Sequence, residues 1–154
     1  MGACRLLRDY LEEALKEAQA AFDEGEIPVG AVVVKDGRIV ARAHNERETA
    51  HDPTAHAELL ALRRAGEALL DWRLDGCTLF VTLEPCPMCA AAIAASRLDR
   101  LVFGAPDRER GACGSRWNLL AEVGAGRAIE VTGGVAQEAC ESLLRRFFLT
   151  RRGV

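Results

Sequence analysis

The chain reads as an α/β protein, a three-layer α/β/α arrangement around a mixed five-stranded sheet. Two strands joined by an Asp-Gly turn come first, and such a pair is antiparallel. The later strands are separated by helical stretches, which supply parallel crossovers. Hairpin and crossovers together exclude a purely parallel sheet. At 154 residues, 49% hydrophobic and 28% charged, the chain fits one domain over 1–154 with a sizeable core.

Leu6, Leu7, Tyr10, Leu11, Ala14, Leu15, Ala18 and Phe22 recur at three- and four-residue steps, one apolar face of a helix ending near Gly25. Ile27 to Val34 is β-branched and apolar, a buried strand. Lys35-Asp36-Gly37 turns the chain, and Arg38 to Ala43 returns beside it. Asn45 to Thr54 is a polar loop, and Ala55 to Leu70 is a helix rich in Ala and Leu. Cys77 to Leu83 is a strand closed by Glu84-Pro85, and Pro87 to Ser96 is a small-residue helix. Arg100 to Gly104 is a strand, followed by a charged, Gly-bearing loop from Ala105 to Ser115. A short helix over Trp117 to Glu122 and a strand over Ala128 to Thr132 follow. Val135 to Arg152 is the last helix, with Ala139, Leu143, Leu144 and Phe147 expected inward.

This composition excludes a disordered tail, a fibrous repeat and a membrane protein. A formal net charge of −3 argues against a generic DNA-coating protein. Arg5, Arg8, Asp9, Glu12 and Glu13 interrupt the N-terminal apolar stretch, so no signal-peptide core is expected and the cytoplasm is the expected location. Thiols stay reduced there, and closely spaced cysteines are then metal ligands or catalytic more often than disulfides.

Two short strings carry the chemistry: His56-Ala57-Glu58 and Pro85-Cys86-Pro87-Met88-Cys89. Cys86 and Cys89 sit three apart at the start of a helix, with both sulfurs on one side of its first turn. Pro87 suits the first helical position. The positive helix end lowers thiol pKa and favours the thiolate that binds metal. Alone, this spacing also fits a redox pair or two buried thiols, and a lone His is more often a cap or core residue. Taken together, His56 and two thiolates make three zinc ligands with one tetrahedral position left for water, the pattern of a catalytic site. Glu58, two residues beyond His56, is placed to take a proton from that water. Cys113 is the rival; as a fourth ligand it would close the site.

His-x-Glu followed by Pro-Cys-x-x-Cys resembles the signature of zinc deaminases. Thr82 to Cys89, Val102-Phe103-Gly104-Ala105-x-Asp107, Ile27 to Ala31, Asn45, His51 to Glu58 and Gly111-x-x-Gly114-Ser115 extend it. So does a final helix with Phe147-Phe148 and then arginines. Over most of its length the chain resembles the bacterial tRNA-specific adenosine deaminases of the cytidine/deoxycytidylate deaminase superfamily. The resemblance implies a cytidine-deaminase-like fold, one Zn2+ per subunit on His56, Cys86 and Cys89, and Glu58 as the acid–base residue. It implies hydrolytic deamination of adenosine to inosine at wobble position 34 of a tRNA anticodon loop. Glu58 would take a proton from water, pass it to N1 of adenine and later protonate the leaving amine.

The resemblance further sets Asn45 and the backbone at Ala57 against the base, and Val29 and Leu83 along its face. Asp107 falls beside the neighbouring nucleotide, and Phe148 and Arg152 lie on the RNA-facing tail. Val29 and Leu83 also read as core, Asn45 as a loop cap and Asp107 as a turn former. From Leu143 to Val154 stand four arginines (145, 146, 151 and 152) and no acid, a patch able to grip phosphates. A solvated helix end explains them equally well. Phe147 and Phe148, being adjacent, cannot both face the core.

The implied partners are a tRNA anticodon stem-loop, specifically tRNA-Arg with an ACG anticodon, and a second copy in a homodimer. No DNA and no membrane are expected. His44, Arg108, Arg110 and Cys113 depart from the family pattern without touching the metal or the acid–base group. The alternative reading is a free-base or nucleoside deaminase of guanine or cytosine type with the same zinc residues. A non-catalytic RNA-binding module with structural zinc is the rival from another class, and Glu58 argues against it.

Overall fold

The computed structural model describes residues 2–123 and 127–152, the last of these by its backbone alone. Its elements run α1 (Gly2–Asp23), β1 (Gly30–Lys35), β2 (Arg38–His44), α2 (Ala57–Leu69), β3 (Cys77–Leu83), α3 (Pro87–Ala95), β4 (Arg100–Ala105), α4 (Leu119–Val123), β5 (Glu130–Thr132) and α5 (Gln137–Arg152). The five strands form one sheet in the order β2-β1-β3-β4-β5. β1 is antiparallel to both neighbours, while β3, β4 and β5 are parallel. The mixed sheet expected from the hairpin and crossovers is therefore present.

Strand alternation divides the core in two. Val32, Val34, Phe80 and Val102 pack with Leu11 and Ala14 of α1 and Cys140 of α5 on one face. Ala31, Val33, Leu79, Val81 and Leu101 face Leu60 and Ala61 of α2 and Ile93 of α3 on the other. That is the three-layer α/β/α arrangement. α1 approaches β1 so closely that a Cβ at Gly30 would lie 2.0 Å from the Ala14 carbonyl oxygen. Only glycine leaves room for that contact. Asp36 and Gly37 at the hairpin turn have φ of 51° and 74°, the left-handed pair that Asp-Gly favours.

Several expected boundaries and orientations move. Leu6 points to solvent because the first turn of α1 is exposed. The strand foreseen over Ile27 to Val34 starts only at Gly30, because the Val29 amide bonds back to the Ile27 carbonyl at 2.8 Å. α4 starts at Leu119, since the Trp117 backbone is tied to Gly111 and Gly114. In α5 the inward residue is Cys140, and Ala139 is exposed; Leu143 and Phe147 face inward as expected. Among the described residues no helix is long and apolar enough to cross a membrane.

One end of the sheet collects the interesting side chains. β2, β3 and β4 run the same way and β1 runs against them. The entry to β1 (Val29) therefore lies at the same edge as the exits of β2 (Asn45), β3 (Leu83 to Cys86) and β4 (Pro106 and Asp107). Ligand crevices of α/β sheets form at such strand ends.

Candidate metal centre and cleft

Two helix N-termini meet at that edge. His56 is the N-cap of α2, followed by Ala57 and Glu58 in its first turn. Cys86 is the N-cap of α3, with Pro87 at its first position and Cys89 two residues later. Both helices turn their positive ends toward the same point, which favours thiolate. His56, Cys86 and Cys89 form a group whose ligating atoms all lie within 4.8 Å of one another. The His56 Nδ1 atom is 3.7 Å from the Cys86 sulfur and 3.5 Å from the Cys89 sulfur. A tetrahedral zinc, with Zn–S about 2.3 Å and Zn–N about 2.0–2.1 Å, holds sulfur and nitrogen about 3.5–3.6 Å apart. The donor set and its spacing thus fit zinc. Among the described residues no fourth side chain joins the group.

Protonation of the pair follows from its surroundings. The hydrogen bond from the Cys89 thiol is the first cause that pulls the Cys86 thiol down to about 3; His56 adds to it while burial opposes. Cys89 is pushed the other way, by the same bond to Cys86 and by its own burial. Two sulfurs sharing one proton release it when they bind a divalent cation. Cys113 does not belong to this set. Burial, then the charge of Glu84, pushes its thiol up to about 12.

Glu58 is 4% exposed, and burial raises its carboxyl above the usual carboxylate range. A carboxyl raised in this direction holds a proton more readily than an exposed one, which suits a group that must both take and return a proton. It lies at the floor of a cleft of about 410 Å³. His56, Ala57 and Cys86 line that cleft with it, as do Val29, Asn45, Leu83, Asp107 and Phe148. Cys89 is fully buried behind it. The side chain of Arg152 lies outside the described residues.

The two readings left open for these residues divide. Among the described residues nothing hydrogen-bonds the Asn45 side-chain amide, so it is not a loop cap; only its backbone N–H does, to Val29 O at 3.0 Å. Asp107 is a turn former, its Oδ1 accepting from Glu109 N at 3.1 Å and Arg110 N at 3.0 Å, and it lines the cleft as well. Phe147 is 4% exposed and edge-on to Phe22, while Phe148 is 45% exposed in the cleft. Arg146 and Arg151 lie over the Phe22 and Phe147 rings at 5.7 and 4.8 Å, so the tail's charge also braces its own fold. His44 is spoken for by Glu24 at 3.0 Å and Glu17 at 3.5 Å.

Sequence reasoning gave no role to two buried acids. Glu26, fully buried, accepts from the backbone N–H groups of Glu48 and Thr49 and from the Thr49 hydroxyl. It fixes the loop that carries Arg47 to the cleft. Glu84 does the same for the loop after β4. The available signal was an acid at the end of an apolar run, directly before Pro85-Cys86. Arg47, Arg108 and Arg110 also line the cleft and give it a positive rim suited to phosphates.

Comparison with known proteins agrees with this geometry. The family model described as MafB19-like deaminase matches residues 7–140. The tRNA-specific adenosine deaminase of Bacillus subtilis is 51% identical over 139 residues, 90% of this chain and 86% of that protein. A structure solved in work on A-to-I editing by tRNA:A34 deaminases at the wobble position of transfer RNA superposes with a TM-score of 0.84. It is 43% identical over 88% of this chain and 98% of its own. A guanine deaminase from Nitrosomonas europaea superposes with a TM-score of 0.80 but is 28% identical, over 91% and 83%.

Proposed function

Since the chain belongs to the MafB19-like deaminases and, among them, to the tRNA-specific adenosine deaminases, we propose that its cleft converts adenosine 34 of a tRNA anticodon loop to inosine. The reaction is hydrolytic: water replaces the 6-amino group and ammonia leaves. His56, Cys86 and Cys89 hold one Zn2+ per subunit, and the whole of 1–154 works as one domain. The observation that carries the reading is an open three-ligand site with a buried carboxyl beside it.

Zinc, when bound, lowers the pKa of water at its open position. The remaining tasks fall to the chain. Glu58 takes one proton from water and delivers it to N1 of the purine. It then takes the remaining proton of the hydroxyl added at C6, as that oxygen becomes the carbonyl, and hands it to the departing amine. A stacked base cannot reach this depth, so the nucleotide turns out of its loop. Val29 and Leu83 bound the faces of the base, and the Asn45 amide and the Ala57 backbone read its edge. Asp107 and Phe148 receive the neighbouring nucleotides at the mouth, and Arg152 ends the basic tail that follows the phosphates.

The direct test is incubation with a tRNA-Arg anticodon stem-loop bearing ACG, reading inosine by sequencing, beside free guanine and cytosine, reading ammonia. Inosine at position 34 with inert free bases supports the reading. Ammonia from guanine and none from the RNA replaces it with the free-base alternative, which the guanine deaminase neighbour makes the specific rival. The RNA contact at the mouth has its own test. Stacking on an aromatic ring is worth about 1–3 kcal/mol, so Phe148→Ala weakens stem-loop binding roughly tenfold or more. Its Tm falls only modestly, because the ring is 45% exposed and its contact with Phe147 is edge-on. Truncating the tail after Arg146 would instead remove core Phe147 and blur the result.

The assembly is proposed as a homodimer in the cytoplasm. Supporting it, Leu70 and Trp72 are 92% and 59% exposed beside a groove lined by Leu59, Leu62, Ala92 and Ala95 of α2 and α3. A second copy would cover that apolar surface.

A further inference from the structure

Glu84 stands between Leu83, a cleft wall, and Pro85-Cys86, which begins the metal site. Its side chain is buried, the residue being 2% exposed. Oε1 accepts from the Asp107 N–H at 3.2 Å and from the Ser115 hydroxyl. Oε2 accepts from the Cys113 N–H at 3.0 Å and the Ser115 N–H at 3.1 Å. No cation pairs with it among the described residues; every partner is a neutral donor of one loop, 107–115. That loop wraps the carboxylate so tightly that a Cβ at Gly111 would fall 2.4 Å from Oε2. The same loop carries Asp107, Arg108 and Arg110 along the cleft.

A loop without secondary structure keeps one shape only if its polar groups find partners. Here one carboxylate supplies four acceptor positions, and charge-assisted hydrogen bonds are the strong kind. We propose that Glu84 is a positioning residue: it holds the 107–115 loop in its RNA-receiving shape and so sets substrate affinity without joining the proton transfer. The affinity half of this inference rests on the deaminase reading above; the loop half does not.

Glu84→Gln is the decisive variant. It keeps the side chain's size but turns one acceptor oxygen into an NH2 donor facing N–H groups that need an acceptor. KM for the anticodon stem-loop is expected to rise about tenfold or more, with kcat within about twofold and zinc content unchanged. In the RNA-free protein the Cys113 and Ser115 amides exchange faster with deuterium, while amides of β3 do not. Ser115→Ala removes a single donor, and a smaller rise of about threefold in KM is expected; it decides the matter should Glu84→Gln fail to fold. A fall in kcat at constant KM, loss of zinc, or unchanged exchange at Cys113 and Ser115 overturns the proposal. A wild-type protein that makes no inosine sinks the deaminase reading and the affinity half with it. Amide exchange, read without RNA, still decides whether Glu84 anchors the loop.

Discussion

Glu58→Gln retains its zinc, binds the anticodon stem-loop as well as the wild type, and loses turnover by a factor of about 10² to 10⁴. Glutamine matches the size of glutamate, so the 4% exposed pocket at the start of α2 stays filled and His56 keeps its N-cap place. Glu58 is not in the ligating group, and its loss leaves His56, Cys86 and Cys89 as they were. What disappears is a group able to accept a proton and return it. The reaction needs that group twice, once to activate water and once to release ammonia, so the upper part of the range is expected. Glu58→Asp should recover little, because the carboxylate retreats by one methylene from an atom it must touch. Single-turnover inosine formation, with zinc analysis and stem-loop affinity measured on the same preparation, separates these effects. A Glu58→Gln rate near that of the wild type would remove Glu58 from the mechanism and leave the metal site without a proton carrier.

The parts of this molecule that were legible beforehand share a short range in sequence. Cys86, Pro87 and Cys89 lie within one helical turn, and the N-cap, first and third positions follow from spacing alone. The Asp-Gly hairpin and the full span of β3 were readable for the same reason. Errors came where a small phase difference decides the outcome. One residue is 100° around a helix, enough to exchange Ala139 for Cys140 as the inward side chain of α5. Glu26 and Glu84 escaped for a different reason. Their partners are backbone N–H groups and two hydroxyls, 22 to 31 residues away, in loops with no periodicity to read. The fold brings those loops to one sheet edge, and only then does a buried acid have something to hold.

Cys86→Ala abolishes both zinc binding and deamination, and it removes the stabilisation that zinc gives the wild type. Two remaining ligands, His56 and Cys89, cannot hold a tetrahedral ion at the open edge of the cleft. A metal held by His56, Cys86 and Cys89 would also tie the N-terminus of α2 to that of α3. A ligand present at about a thousand times its Kd stabilises the folded state by about 4 kcal/mol, so chelator should lower the Tm of the wild type by several degrees or more. The variant's Tm should start lower and ignore the chelator. Cys113→Ala is the control that gives the experiment its edge. Its thiol is pushed up to about 12 and stands outside the ligating group, so that variant keeps one zinc per chain, chelator sensitivity and turnover. Zinc lost from Cys113→Ala would mean a fourth protein ligand and a closed, structural site, with no position left for water. Zinc kept by Cys86→Ala would mean that the two sulfurs and the imidazole, spaced as zinc requires, are not its ligands.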